Sequence, residues 1–318
     1  MEKLDGLSIW ARSYKLTHEQ TNQSIALRVL NSNQPAEERE RELFLIQWMS
    51  ELGIAPHVIE IDPSHGLIST VFIQSPEPKP WHMTKMTPDK VMQFATSLKL
   101  LHSQPLDIKN ERLQELDDKV FKLAALHPQF QIFKTAIEKM QELDTIQHGH
   151  VPSKFCHNDV GHGGNTLWDG KKAWMIDWEL AGNFNPYFDV ASPMVLLFFN
   201  EENKDLFFRT YLGHTPSQRE KDLLFVNQQY AYLRYGATSL GICHEPSKTF
   251  TLSPSEINQI GAWNDILTGK VLLKREEMQT DFGRCKTGVL LIHQALNNMK
   301  GEEFQAAISR LASNDKDY

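Results

Sequence analysis

Residues 155–191 read FCHNDVGHGGNTLWDGKKAWMIDWELAGNFNPYFDVA, and the fold follows from how this stretch is read. Asp169-Gly170 stands between two runs of strand-forming residues, Thr166-Leu167-Trp168 and Ala173 to Trp178. A turn dipeptide between such runs predicts a β-hairpin. The hairpin leaves two polar loops at the ends of its arms. One runs from His157-Asn158-Asp159 to Asn165, and the other begins at Asp177-Trp178-Glu179. Going up one arm and down the other brings both loops to one side.

Such a pair of loops suits phosphoryl transfer from ATP to an alcohol. That chemistry needs a carboxylate to orient the hydroxyl and accept its proton, oxygen ligands for a metal on the phosphates, and a cation for the phosphate tail. Mg²⁺ takes carboxylate and amide oxygens and fills its octahedron with water and phosphate. Asp159 fits the first role, and Asn165 with Asp177 the second. H-x-D followed by an asparagine, with an aspartate at the end of the next hairpin strand, is the pattern of a kinase catalytic loop.

His157-x-Asp159, Asn165, Ile176-Asp177-Trp178-Glu179 and Asp189-x-Ala191 occur in that order. Together they resemble the Brenner motif of the aminoglycoside phosphotransferase and choline kinase superfamily. The wording from Ile176 to Ala191 most resembles bacterial choline kinase-like and thiamine kinase-like members. One departure stands out: Val160 to Gly164 put one residue more between Asp159 and Asn165 than the family pattern has. Gly161, Gly163 and Gly164 are expected to absorb it, because positive φ costs glycine little. Taken singly, each of these residues reads as an N-cap, a turn former or a solvated charge. Asp169 reads as a turn residue, His157 as an orienting hydrogen-bond partner and Asp189 as an anchor for the loops. The ordered set points to a kinase-like phosphate site, to be tested by geometry.

The resemblance implies an α+β, two-lobed protein-kinase-like fold. Residues 1–75 would form a small antiparallel β N-lobe with one main helix, and 76–318 a larger, mainly helical C-lobe. The length, 318 residues, is enough for two lobes, and a hydrophobic content of 41% predicts a folded chain. A net charge of −7 argues against a nucleic-acid partner. Cys156, Cys243 and Cys285 are scattered, without zinc spacing, and suit a reducing compartment. The N-terminus lacks an apolar signal region, and the longest apolar run, Val195 to Phe199, is too short to span a bilayer. A soluble, cytoplasmic protein with no membrane partner is expected, its subunit number open.

Along the chain, Ala11 to Leu16 and Ile25 to Leu30 predict a hairpin. Leu4-Asp5-Gly6-Leu7-Ser8 resembles the short phosphate-covering loop of choline kinase-like proteins, with Ser8 offering hydroxyl and backbone, although by itself the segment reads better as a plain turn. The resemblance puts Arg28 at the position of the ATP-phosphate cation, and a guanidinium forks well onto phosphate. Residues 35–52 predict a helix with Leu43, Ile46, Met49 and Leu52 on one face, ended by Gly53 and Pro56. The resemblance points to Glu42 as the partner of Arg28, with Glu38 and Glu40 as close competitors. His57 to Ile61 and Leu67 to Ile73 predict a second antiparallel pair. Around Ile73, just before the Pro76–Pro80 hinge, the resemblance implies backbone contacts to adenine.

Thr87-Pro88-Asp89 opens a further helix, capped by Thr87. Its end at Leu100-Leu101-His102 resembles the same helix in choline and thiamine kinases. Residues 107–148 predict two amphipathic helices broken near His127-Pro128, without chemistry of their own. Helices are expected over 201–212, 217–240, 254–278 and 282–311. A small cationic alcohol would be held by aromatic faces and carboxylates. Trp178, Tyr187, Tyr235 and Glu179 are the candidates for that acceptor. ATP and Mg²⁺ are the implied cofactors and a choline-like alcohol the implied acceptor. A thiamine or aminoglycoside kinase, or a nucleotide-binding pseudokinase scaffold, remains open.

Overall fold

A computed structural model describes residues 1–4, 11–76, 86–109, 111–126, 131–147, 149–197, 200–243, 253–267, 277 and 280–313. The N-terminal part is a five-stranded antiparallel sheet. Ala11–Thr17 (β2) pairs with Ser24–Leu30 (β3), and Glu2–Lys3 (β1) pairs with β2 on the outside. Leu67–Val71 (β5) lies on the other side of β3, and Val58–Asp62 (β4) completes the order β1-β2-β3-β5-β4. Arg28 therefore stands on the central strand, opposite Ser13 and Ile68. Helix α1, Ala36–Glu51, follows Pro35, which takes the N-cap position, and ends before Gly53 at φ 68°. Glu37 and Glu38 in its first turn complement the helix dipole. Leu43, Ile46 and Met49 are buried, as their spacing predicts.

The larger lobe begins with α2, Pro88–His102, whose first turn is capped by Thr87. Its Val91, Phe94, Ala95, Leu98 and Leu101 are fully buried. Next come α3, Glu111–Leu126, and α4, Gln131–Gln147. Short strands then build the central segment. Lys154–Cys156 (β6) pairs with Gly182–Phe184 (β9), and Thr166–Trp168 (β7) pairs with Ala173–Met175 (β8). The β7–β8 turn is the predicted one: Gly170 has φ 100°, and Asp169 Oδ1 accepts from the amides of Lys171 and Lys172 at 2.8 and 2.7 Å. The second arm stops at Met175 rather than Trp178, because Asp177 leaves the strand with left-handed backbone (φ 68°).

Helices α5 (Pro186–Leu196), α6 (Glu201–Leu212) and α7 (Gln218–Cys243) follow. The predicted helix 254–278 is broken in its described part into α8, Pro254–Gln259, and α9, Asn264–Leu267, since Ile260 is extended at ψ 123°. The predicted helix 282–311 is also two, α10 (Asp281–Met299) and α11 (Glu302–Ala312), with Gly301 as an extended N-cap between them. α7 is the axis of this lobe and packs against α10, α5, α4 and α11. Its crossing with α10 is close. A Cβ on Gly236 would lie 2.7 Å from Ile292 Cγ1 and 2.9 Å from the Gly288 carbonyl oxygen. Among the described residues, no helix is long and apolar enough to cross a membrane.

Candidate active site

The loop after β6 is held by one carboxylate. Asp189, on the first turn of α5 and fully buried, accepts the amide hydrogens of His157 (2.6 Å, Oδ2) and Asn158 (2.8 Å, Oδ1). The same Oδ2 lies 3.2 Å from His102 Nε2, and His102 Nδ1 lies 2.8 Å from the Tyr211 hydroxyl. Asn158 is left-handed (φ 66°), a conformation that costs a non-glycine residue on the order of 1–3 kcal/mol. Its side-chain amide donates to the carbonyls of Leu180 (2.9 Å) and Gly182 (3.1 Å), which ties this loop to the next. His157 Nε2 lies 2.9 Å from the Ile176 carbonyl oxygen, and its ring packs on Trp178.

Asp159 follows, gripped from both sides. Asn165 Nδ2 donates to its Oδ2 at 2.8 Å and to its carbonyl oxygen at 3.0 Å. The Tyr235 hydroxyl, on α7, donates to Oδ1 at 3.2 Å. Two successive turns absorb the added residue: the His162 amide reaches the Asp159 carbonyl, and the Asn165 amide reaches the His162 carbonyl at 2.9 Å. Positive φ is not the device, since none of Gly161, Gly163 and Gly164 adopts it. Gly161 serves instead for close approach to α5, where a Cβ would meet Ser192 Cβ at 2.8 Å. Burial raises the Asp159 carboxyl above the ordinary carboxylate range. Asp177 adds to the rise, while the imidazoles of His162 and His157 and the Tyr235 hydroxyl oppose it.

The second loop starts where the first ends, for the Ile176 amide donates to the Asn165 carbonyl at 2.9 Å. The next residue, Asp177, is the second left-handed one. Arg28 reaches across from the sheet and donates from Nη2 to Asp177 Oδ1 at 2.8 Å, with Glu179 Oε2 farther off at 3.5 Å. Arg28 Nε donates to Glu42 Oε1 at 2.8 Å, so Glu42, not Glu38 or Glu40, is the acid on α1 that meets it. Burial alone would lower the Arg28 pKa, but Glu42, Asp177 and Glu179 outweigh it and raise it above that of a free guanidinium. Two further arginines join. Arg41 donates to the carbonyls of Ala181 (2.8 Å) and Glu179 (2.9 Å). Arg112, on α3, holds Glu42 Oε2 at 3.0 Å and Glu38 Oε2 at 2.8 Å.

Asp159, Asn165, Asp177, Arg28 and Glu42 are thus brought to one place, with Tyr235 touching it. Of the other expected acceptor residues, Trp178 and Tyr187 are packed away. Trp178 is 1% exposed and packs in the core against His157, so it has no free face for a ligand. Tyr187 packs edge-on against Phe208, and its hydroxyl is in the field of Glu220 and Arg219. Glu179 stands on the Arg28 side. Ile73 is half-buried just beyond β5. Ser8 lies outside the described residues, as do the hinge prolines Pro78 and Pro80. Sequence reading missed Arg41 and Arg112. Arg41 sits beside Glu42 in an alternating charge run and had that much signal, whereas Arg112 is one cation at the start of α3 and had none.

This fold and site define a kinase-like phosphotransferase. The sequence profile of a phosphotransferase enzyme family matches residues 10–219, and the chain belongs to that family. The fold is similar to that of a choline/ethanolamine kinase family protein from Mesorhizobium loti, with a TM-score of 0.69 at 17% identity over 98% of this chain and 92% of that one. A choline kinase from Cryptosporidium parvum superposes with a TM-score of 0.67 at 14% identity, again over 98% and 92%. A spectinomycin phosphotransferase bound to ADP and spectinomycin gives a TM-score of 0.59 at 11% identity over 94% and 93%. No curated protein sequence matches the chain significantly.

Proposed function

We propose that the protein transfers the γ-phosphoryl group of ATP, with Mg²⁺, to the hydroxyl of a small cationic alcohol, choline-like in the first instance. The observation that carries this reading is the Asp159 carboxylate, gripped by Asn165 and Tyr235 beside the Asp177–Arg28 pair. Each carboxylate oxygen of Asp159 keeps lone pairs beyond those its partners use, so it can accept from a substrate hydroxyl. Its raised pKa makes it a better proton acceptor than an ordinary aspartate. The acceptor hydroxyl gives its proton to Asp159 as its oxygen bonds to phosphorus and the bond to the ADP oxygen breaks. Arg28, backed by Glu42, steadies the phosphate tail, with backbone near Ile73 at the adenine edge.

The residues at hand fit Mg²⁺. Asn165 donates from Nδ2 to Asp159, which leaves its amide oxygen as the group to offer, and the half-buried Asp177 carboxylate supplies the other ligand. This is an all-oxygen donor set, the kind Mg²⁺ selects. A metal ion held by Asn165 and Asp177 would offset charge on the phosphate oxygens.

A second reading, an aminoglycoside-type acceptor, draws support from Arg234. Its guanidinium lies over the rings of Phe184 (5.5 Å) and Phe188 (5.3 Å), so the chain's own cation takes aromatic faces next to Tyr235. Fewer faces are then left for a quaternary ammonium. ATP consumption with Mg²⁺ over choline, ethanolamine, thiamine and a set of aminoglycosides separates the two readings. Asp159→Asn is expected to lower kcat by about 10²–10⁴ while nucleotide still binds. In the parent enzyme the rate falls as pH drops through the raised Asp159 pKa, because the base must be ionised. Undiminished turnover by Asp159→Asn refutes the reading.

A further inference from the structure

Helix α3 reaches into the proposed phosphate-tail site through one side chain. Its lead-in is stapled to the central segment: the Asn183 amide donates to the Ile108 carbonyl at 2.8 Å, and Asn183 Oδ1 accepts from the Ile108 amide at 3.2 Å. That connection delivers Arg112, 5% exposed at its side chain, to Glu42, which is 0% exposed. Glu42 uses its two oxygens separately. Oε1 takes both Nε and Nη2 of Arg28 at 2.8 Å, and Oε2 takes Nη1 of Arg112 at 3.0 Å. Arg112 also bonds Glu38 at 2.8 Å, and Glu38 bonds Arg41, the residue that holds the carbonyls after Asp177.

We propose that Arg112 is a positioning residue for nucleotide binding, which fixes the plane of Glu42 and thereby aims Arg28 at the phosphate tail. The physical case is one of competition. A carboxylate and a guanidinium prefer a two-oxygen fork. With Oε2 held by Arg112, Glu42 offers Arg28 a single oxygen, and Nη2 remains turned toward Asp177. Without Arg112, Oε2 is released, the carboxylate rotates, and Arg28 is drawn into the fork and away from Asp177. A lysine cannot replace it, because one ammonium does not span Glu38 and Glu42 as the planar guanidinium does. This inference rests on the reading of Arg28 as the phosphate-facing cation.

The test is direct titration of the full-length protein with a fluorescent ADP analogue in the presence of Mg²⁺, without acceptor. Arg112→Met is expected to weaken binding roughly tenfold, and Arg112→Lys by a smaller factor in the same direction. Asp117→Asn serves as the control for loosening α3, since it removes the charge from the 2.9 Å ion pair between Arg234 and the same helix at a distance from Glu42. It is expected to lower the melting temperature and leave nucleotide affinity as it was. Equal affinity losses in Arg112→Lys and Asp117→Asn mean that α3 acts only as packing, and they overturn the proposal. Parental affinity in the Arg112 variants overturns it too, while leaving the kinase reading intact. A parental protein that binds no nucleotide overturns both. Should Arg112→Met fail to fold, the lysine variant decides.

Discussion

The Asp159 loop and the Asp177 loop meet at one point but are suspended differently. The first hangs inside its own lobe on Asp189, a buried carboxylate that takes two backbone amides and a histidine ring. The second is held from the other lobe, by Arg28 on the sheet and Arg41 on α1, whose side chains are 17% and 13% exposed. Hydrogen bonds to a buried carboxylate are short-ranged and shielded from salt. The bonds of Arg28 to Asp177 and of Arg41 to the Glu179 and Ala181 carbonyls are also largely buried, but their donors come from the sheet and α1. The proposed proton acceptor is therefore set by the lobe that holds it, while the proposed metal ligand depends on how the two lobes are docked.

That contrast can be broken at its strongest point first. Asp189→Ala leaves the His157 and Asn158 amides buried without an acceptor. It is expected to cost about 3–5 kcal/mol in a denaturant titration, with turnover lost. A stable, active variant would show that the first loop does not depend on this carboxylate. Arg41→Met removes the donors to the Glu179 and Ala181 carbonyls and should cost about 1–3 kcal/mol. Hydrogen exchange should then rise over residues 177–181 and stay low over 157–160. Equal rises in both segments would mean that the loops share one support. Tyr235→Phe deletes a bond to Asp159 worth about 0.5–1.5 kcal/mol, so kcat/KM should fall several-fold. The phenol lowers the Asp159 pKa, so its removal shifts the acid limb of the rate profile to higher pH. A downward shift would contradict the assigned contact. Glu179→Gln should be the mildest, under about 1 kcal/mol, since its pair with Arg28 is long at 3.5 Å and the amide keeps the side chain's size and one acceptor oxygen. A larger loss would place Glu179 on a ligand rather than on Arg28.

Most of the architecture was legible because periodicity, caps and turn residues act locally. Thr87 caps α2, Asp169-Gly170 turns the hairpin, and Leu43, Ile46 and Met49 face inward as spacing requires. Asp159, Asn165 and Asp177 were legible because their order along one hairpin fixes their meeting. The acceptor wall was not. Trp178 and Tyr187 look alike in sequence to Tyr235, and only helix packing decides which ring reaches the carboxylate. The division of the late helices was hidden for a related reason. Ile260 and Gly301 interrupt their helices by backbone conformation without a proline or a turn pair to announce it. Arg112 lay beyond reach altogether, because its partner on α1 is seventy residues back in the chain.

Tyr235 is followed at once by Gly236, where α7 rests closely on Gly288 and Ile292 of α10. The height of the phenol above the base is therefore a matter of clearance between two rods. A methyl group at Gly236 or Gly288 would act as a shim, lifting one rod off the other and carrying the hydroxyl with it. The acidity of the proposed base is in this sense trimmed from behind, at a contact remote from the site itself.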